Sequence, residues 1–145
     1  MDLCGRPADE SGMPTPTILL VDDEPQITYL VARKLRQAGF EVVIGTDGEQ
    51  GIDLALEHDV AMVISDLQMP YMSGLDMACA LREHVETAQI PIVMLTARGY
   101  VMEAEKLERA RISRVYPKPF SVSELLDCVH EHLGTQNQST GREAA

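Results

Sequence analysis

The strongest constraint on this chain is a strict alternation along its length. Five short apolar runs take turns with five segments whose apolar residues recur at helical spacing. The runs are TILLV (17–21), EVVIG (41–45), VAMVIS (60–65), IPIVML (90–95) and RVYPK (114–118). Runs this apolar leave no face for water, so they belong in a parallel sheet with helices on both sides. The intervening segments suit that role. Ile27, Leu30, Val31 and Leu35 share one helical face, with Pro25 at the start and Gly39 past the end. Thr46 with Glu49, and Ser121 with Glu124, have the spacing of a capping box. Gly51 lies inside the second helical segment and predicts a weak helix, since Gly costs about 1 kcal/mol relative to Ala. A third helix is expected from about Leu75 to Val85 and a fourth, highly charged, over roughly 101–111.

Prolines order the sheet. Pro91 falls at a strand start, where a missing N–H is tolerated, but Pro117 lies within the fifth run and makes that strand an edge. The expected fold is therefore α/β: a flavodoxin-like (βα)5 doubly wound parallel sheet, strand order 2-1-3-4-5, in a single domain. With 145 residues there is enough chain for one such core. Residues 1–15 and 135–145 are polar and aperiodic and read as disordered tails around a folded unit at 16–134.

Charge and composition exclude several roles. A net charge of -11 disfavours direct nucleic-acid binding, which needs Lys and Arg to neutralise phosphates, and better suits a cation or a basic partner surface. No apolar run is long enough to span a membrane, and the N-terminus lacks the basic start and apolar stretch of a secretory signal. A cytoplasmic location is expected. Cys4, Cys79 and Cys128 form no CxxC or Cys/His cluster and read as packing or tail residues.

Ligands of open α/β sheets bind at the carboxyl ends of the strands. There the first run delivers Asp22, Asp23 and Glu24, the third Asp66, the fourth Thr96 and the fifth Lys118. Each has an ordinary reading: Asp is a common turn residue, Thr a cap, Lys a solvated end. Together, on neighbouring strands, they are hard to obtain by accident. Converging carboxylates must share a cation or hold protons. Oxygen ligands alone point to a hard ion, Mg2+, which keeps waters and is commonly completed by a phosphate oxygen. Lys118 and Thr96 would then meet phosphoryl oxygens, and Asp66, central in the sheet, is the natural nucleophile for an aspartyl phosphate.

ILLVDDEP, VISDLQMPYMSGLD, IVMLTA and YPKPF resemble the motifs of the receiver domain of two-component response regulators, over about residues 17–133. The resemblance implies Asp66 as phosphoacceptor. It implies Mg2+ held directly by Asp23, Asp66 and the backbone carbonyl of Gln68, with Asp22 acting largely through water. Thr96 and Lys118 would contact the phosphoryl group, the Lys118–Pro119 peptide would be cis, and Gly74 would turn the loop after Asp66. Gln68 and Arg98 would tune hydrolysis of the acyl phosphate, and the small Ala97 would leave access. The implied donor is a phosphohistidine on a sensor histidine kinase or a histidine phosphotransfer protein. The downstream protein target is unnamed, and a phosphorylation-dependent dimer is left open. With no output domain in view, the chain resembles a single-domain regulator, or a piece of a larger one, that signals by binding or by phosphorelay and is not a conventional turnover enzyme.

One position departs from the family. The switching aromatic usually sits three residues before the Lys, where this chain has Val115; strand alternation sends the adjacent Tyr116 to the opposite face. Three rivals fit less well. A haloacid-dehalogenase phosphatase needs a second Asp where Gln68 stands, a degenerate receiver used only for binding typically loses one of the site residues retained here, and no P-loop motif follows any strand.

Overall fold

The computed structural model describes residues 15–97 and 103–134. Arg98, Cys4 and all of the expected tails except Thr15 lie outside the described residues. Ten elements alternate as expected: β1 (Thr17–Val21), α1 (Pro25–Gln37), β2 (Glu41–Gly45), α2 (Gly48–Glu57), β3 (Val60–Asp66), α3 (Gly74–Arg82), β4 (Ile92–Ala97), α4 (Ala104–Ala110), β5 (Arg114–Lys118) and α5 (Val122–Leu133). The strands form one parallel sheet in the order β2-β1-β3-β4-β5. β5, with Pro117, is the edge.

Alternation along each strand divides the interior in two. Ile18, Leu20, Met62, Ile64, Val93 and Leu95 face α1 and α5, where they meet Val31, Leu35, Leu125 and Val129. Leu19, Val21, Val63, Ile92 and Met94 face the other way, onto Ala55 of α2, Met77 and Leu81 of α3 and Ala110 of α4. Residues 18–21 are all fully buried, which is why that run shows no polar alternation.

Several boundaries differ from expectation, each for a local reason. The cap of α2 is Asp47, which accepts from Gln50 N–H (2.8 Å), while Gln50 Oε1 accepts from Thr46 N–H (2.7 Å). The box is thus built one residue later than Thr46 and Glu49. Ser121 caps α5 as expected, accepting from Glu124 N–H at 3.2 Å. α3 stops at Arg82 and residues 83–85 form a turn. The Arg82 guanidinium donates to the carbonyls of Ala88 and Ile90 in that connection and of Ala110 and Arg111 at the end of α4. β4 begins at Ile92 and runs through Thr96, which therefore lies in the strand and not beyond it.

α2 is continuous through Gly51, because packing there outweighs propensity. A Cβ at Gly51 would lie 2.6 Å from Met77 Sδ and 3.0 Å from Val21 Cγ2, so the glycine lets α2 approach β1 and α3. Gly74 is tighter still, since a Cβ there would collide with the carbonyl oxygen of Asp66. Gly51→Ala is accordingly expected to lower stability by about 1–3 kcal/mol despite its better helix propensity. Gly74→Ala, whose obstacle is backbone and not a flexible side chain, is expected to cost more. Urea unfolding of the two variants checks both the sign and the order.

Candidate functional site

The register brings the polar residues together. Val21 pairs with Ser65, so the next step along β1 and β3 sets Asp22 beside Asp66. Asp66 is paired with Leu95, and Ala97 with Lys118, so β4 and β5 end at the same edge. The loop after β3 is closed by Gly74 N–H donating to Leu67 O at 2.8 Å, and the Lys118–Pro119 peptide is cis.

Carboxylate oxygens of Asp22, Asp23 and Asp66 lie within 4.8 Å of one another. Asp22 and Asp66 are buried and Asp23 is exposed. Lys118 Nζ lies 3.3 Å from Asp66 Oδ1, 3.7 Å from Asp22 Oδ2 and 3.0 Å from Glu24 Oε1. Glu24 N–H donates to Asp22 Oδ1 at 2.8 Å, and Gln68 N–H reaches Asp66 Oδ1 at 3.4 Å. Asp22 Oδ2 is buried with no hydrogen-bond partner among the described residues, the Lys118 ammonium standing 3.7 Å away, in ion-pair range but beyond hydrogen-bond range.

The titration of these groups follows from their burial. Burial pushes Asp22 up from 3.8 to about 6, aided by the nearby Asp66 charge and opposed by the Glu24 N–H and by Lys118. Burial also raises Asp66, while the Lys118 ammonium and the Gln68 N–H work against the rise. For Lys118, burial pulls downward, but Glu24, Asp22 and Asp66 outweigh it and hold the ammonium charged.

The structure thus brings together Asp22, Asp23, Asp66 and Lys118. Thr96 is buried one residue beyond the Asp66–Leu95 pair, and its hydroxyl donates to Ala97 O at 3.3 Å. Ala97 is half-buried at the end of β4. Val115 packs on the face shared with α3 and α4, whereas Tyr116 packs on the α1 and α5 face. The opposition inferred from strand alternation therefore holds. The Tyr116 hydroxyl donates to Glu124 O at 3.4 Å.

Glu24 was visible in the sequence as the third acid of a run, but nothing there signalled that it makes the shortest ion pair of Lys118, 94 positions away. The oxygen-only donor set and the orphaned Asp22 oxygen fit a hard divalent cation. Asp22, Asp23 and Asp66 are the side chains able to hold one, with the Gln68 backbone beside them.

Comparison with known proteins agrees with this geometry. The chain is 38% identical over 109 residues to the transcriptional regulatory protein CpxR of Escherichia coli, covering 75% of this chain and 45% of that protein. It is 35% identical over 111 residues to the DNA-binding dual master transcriptional regulator RpaA of Synechocystis, covering 77% and 46%. The chain spans less than half the length of these relatives. Among solved structures, the chemotaxis protein CheY4 of Vibrio cholerae superposes with a TM-score of 0.75 at 28% identity, covering 82% of this chain and 99% of that one. TrrA of Thermotoga maritima, solved with Mg2+-BeF, gives 0.72 at 28% identity, covering 82% and 100%. The receiver domain of a Pseudomonas aeruginosa sensor histidine kinase, with a magnesium ion in its active-site cleft, gives 0.74 at 26% identity, covering 83% and 98%. Residues 18–130 match the response regulator receiver domain, and the chain belongs to that family.

Proposed function

We propose that this receiver takes a phosphoryl group from a phosphohistidine onto Asp66, with Mg2+ at the Asp22, Asp23 and Asp66 carboxylates and the Gln68 carbonyl. The observation that carries the reading is the convergence of three carboxylates within 4.8 Å, one with an orphaned buried oxygen, around a single ammonium. Like charges so packed need a cation, and a phosphoryl group completes a hard cation's shell. The Mg2+-BeF complex of TrrA and the magnesium-bound Pseudomonas receiver support the same ligand chemistry.

In the transfer, an Asp66 carboxylate oxygen attacks phosphorus in line, an O–P bond forms, and the N–P bond to the donor imidazole breaks. Lys118, 3.3 Å from Asp66 Oδ1, balances charge on the phosphoryl oxygens. To do so it loosens its hold on Glu24, which is exposed and can return to water. Thr96 gives up its long bond to Ala97 O and donates to a phosphoryl oxygen. Bound Mg2+ would supply charge stabilisation and orientation of the acceptor oxygen. Water later hydrolyses the acyl phosphate, a step that the family resemblance has Gln68 and Arg98 tune and the small Ala97 leave accessible. The chain is consumed and regenerated as a signal carrier and is not a turnover enzyme in the usual sense.

The partners are a sensor histidine kinase or a phosphotransfer protein upstream and a protein target downstream, reached by binding, relay or a phosphorylation-dependent dimer. The acidic charge of -11 supports contact with protein and not directly with nucleic acid, and a two-component receiver partnered by a kinase is placed in the cytoplasm. Among the described residues no helix is long and apolar enough to cross a membrane.

Two measurements test this reading. With Mg2+ and a small-molecule phosphodonor, intact mass is expected to rise by about 80 Da, one phosphoryl group. Asp66→Asn abolishes the gain and Lys118→Ala slows it by about 10²-fold. No gain with any donor would instead favour a receiver that only binds.

The second concerns pH. Because the folded pKa of Asp22 is raised from 3.8 to about 6, the folded state binds the extra proton. Metal-free stability is then greatest below about pH 4 for this group and declines as pH rises through about 6. Mg2+ at about a hundredfold its dissociation constant should add about 2.7 kcal/mol when Asp22 is ionised, near pH 7.5, and less near pH 5. Asp22→Asn should remove most of the decline and most of the Mg2+ gain. Thermal unfolding across that pH range reads both; equal Mg2+ stabilisation at the two pH values would contradict the assignment.

A further inference from the structure

The last turn of α5 gathers three metal-binding side-chain types on one stripe. Cys128, Glu131 and His132 stand at i, i+3 and i+4, the spacings that share a helical face. Their donor atoms lie within 4.8 Å of one another. Cys128 Sγ is 3.7 Å from His132 Nδ1. That distance is informative, because a tetrahedral zinc ion about 2.3 Å from sulfur and about 2.0–2.1 Å from nitrogen sets its two donors about 3.6 Å apart. The helix therefore already holds thiol and imidazole at ligand spacing.

The surroundings are compatible with a cation. The turn lies at the carboxyl end of α5, where unsatisfied carbonyls favour positive charge. A cleft of about 270 Å³, lined by Tyr116, Glu124, Asp127, Cys128 and Glu131 and by the positively charged Arg114, opens beside the thiol. Arg114 holds Glu131 Oε1 at 2.8 Å, so the second oxygen, Oε2, is the one to turn toward an ion. His132 Nδ1 also lies 2.9 Å from the Cys128 carbonyl, a contact that accounts for the ring's pose without any metal. Binding an ion there means giving up that contact, in which Nδ1–H donates to the carbonyl, and moving the imidazole proton to Nε2.

We propose that Cys128, Glu131 and His132 form a site for one borderline divalent ion of the Zn2+ class, with water in the remaining position. The thiol proton leaves to solvent as the thiolate–metal bond forms. The donor set separates this site from the strand-end cluster: sulfur, nitrogen and one oxygen select Zn2+, whereas carboxylates alone select Mg2+. A search for CxxC or paired Cys/His motifs passes over Cys-x-x-Glu-His, which becomes a site only when wound into a helix.

The test is calorimetric titration of the full chain with ZnCl2 after chelator treatment, paired with Co2+ absorption spectra. With excess Mg2+ present to occupy the strand-end carboxylates, one equivalent of Zn2+ should bind, and Co2+ should show a thiolate-to-metal charge-transfer band. Cys128→Ser abolishes the band, and the exposed-site variant His132→Gln, which spares the core, weakens Zn2+ by more than about tenfold. Asp66→Asn leaves Zn2+ binding unchanged, separating this site from the acidic cluster. Absence of binding, a Co2+ spectrum without the band, or undiminished affinity in His132→Gln would each overturn the proposal.

Discussion

Asp22 and Asp66 lie side by side at the ends of β1 and β3, both nearly closed off from water, and two buried like charges repel unless something balances them. Lys118 reaches across from the edge strand to touch both, and Glu24 holds the same ammonium from the solvent side. Three carboxylates thus face one cation. The deficit keeps Asp22 prone to protonation, and its Oδ2 is left without a hydrogen bond. Nearly everything else in the site serves to hold this uncomfortable arrangement in place, and the discomfort is what makes it receptive to a divalent ion.

The sheet can support such a site because its three central strands, β1, β3 and β4, are almost wholly buried. With both faces covered, backbone pairing and apolar packing fix the strand ends without help from the charged groups. Glycines then allow the close approaches. Gly74 lets the loop fold back against the Asp66 carbonyl, and Gly51 lets α2 settle onto β1 and α3. Stability and reactivity are in this way assigned to different residues.

Outward from Asp66, α4 is carried by α3 through polar straps. Lys106 pairs with Asp76 at 2.8 Å, Cys79 Sγ donates to Lys106 O at 3.5 Å, and Arg82 Nε donates to Ala110 O at 2.8 Å. Val115 faces this side, while Tyr116 lies across the sheet, bonded toward α5. The aromatic nearest to Lys118 in β5 is therefore on the wrong face to follow Thr96. Within β5, the side chain on the α4 side is Val115, which has no hydrogen-bonding group, so that strand can pass a change to α4 only by packing.

The sequence by itself determined the class of fold, the strand order and the main site residues, because periodicity, a strand proline and the residue type at each strand end are local signals. Asp22, Asp23, Asp66, Thr96 and Lys118 could all be read this way. Only tertiary structure decided the distances among them, the orphaned Asp22 oxygen, and the part played by Glu24, whose partner is 94 positions distant. It also decided the Asp47 cap, the early end of α3 at Arg82, and the fit of Gly51, where propensity pointed the other way. Cys128 shows the same division: in the sequence it is an isolated cysteine, and one turn of helix sets it 3.7 Å from an imidazole. Local signals state what each residue is able to do, while long-range contacts, which cost chain entropy and are made only in the folded state, select which of those abilities meet.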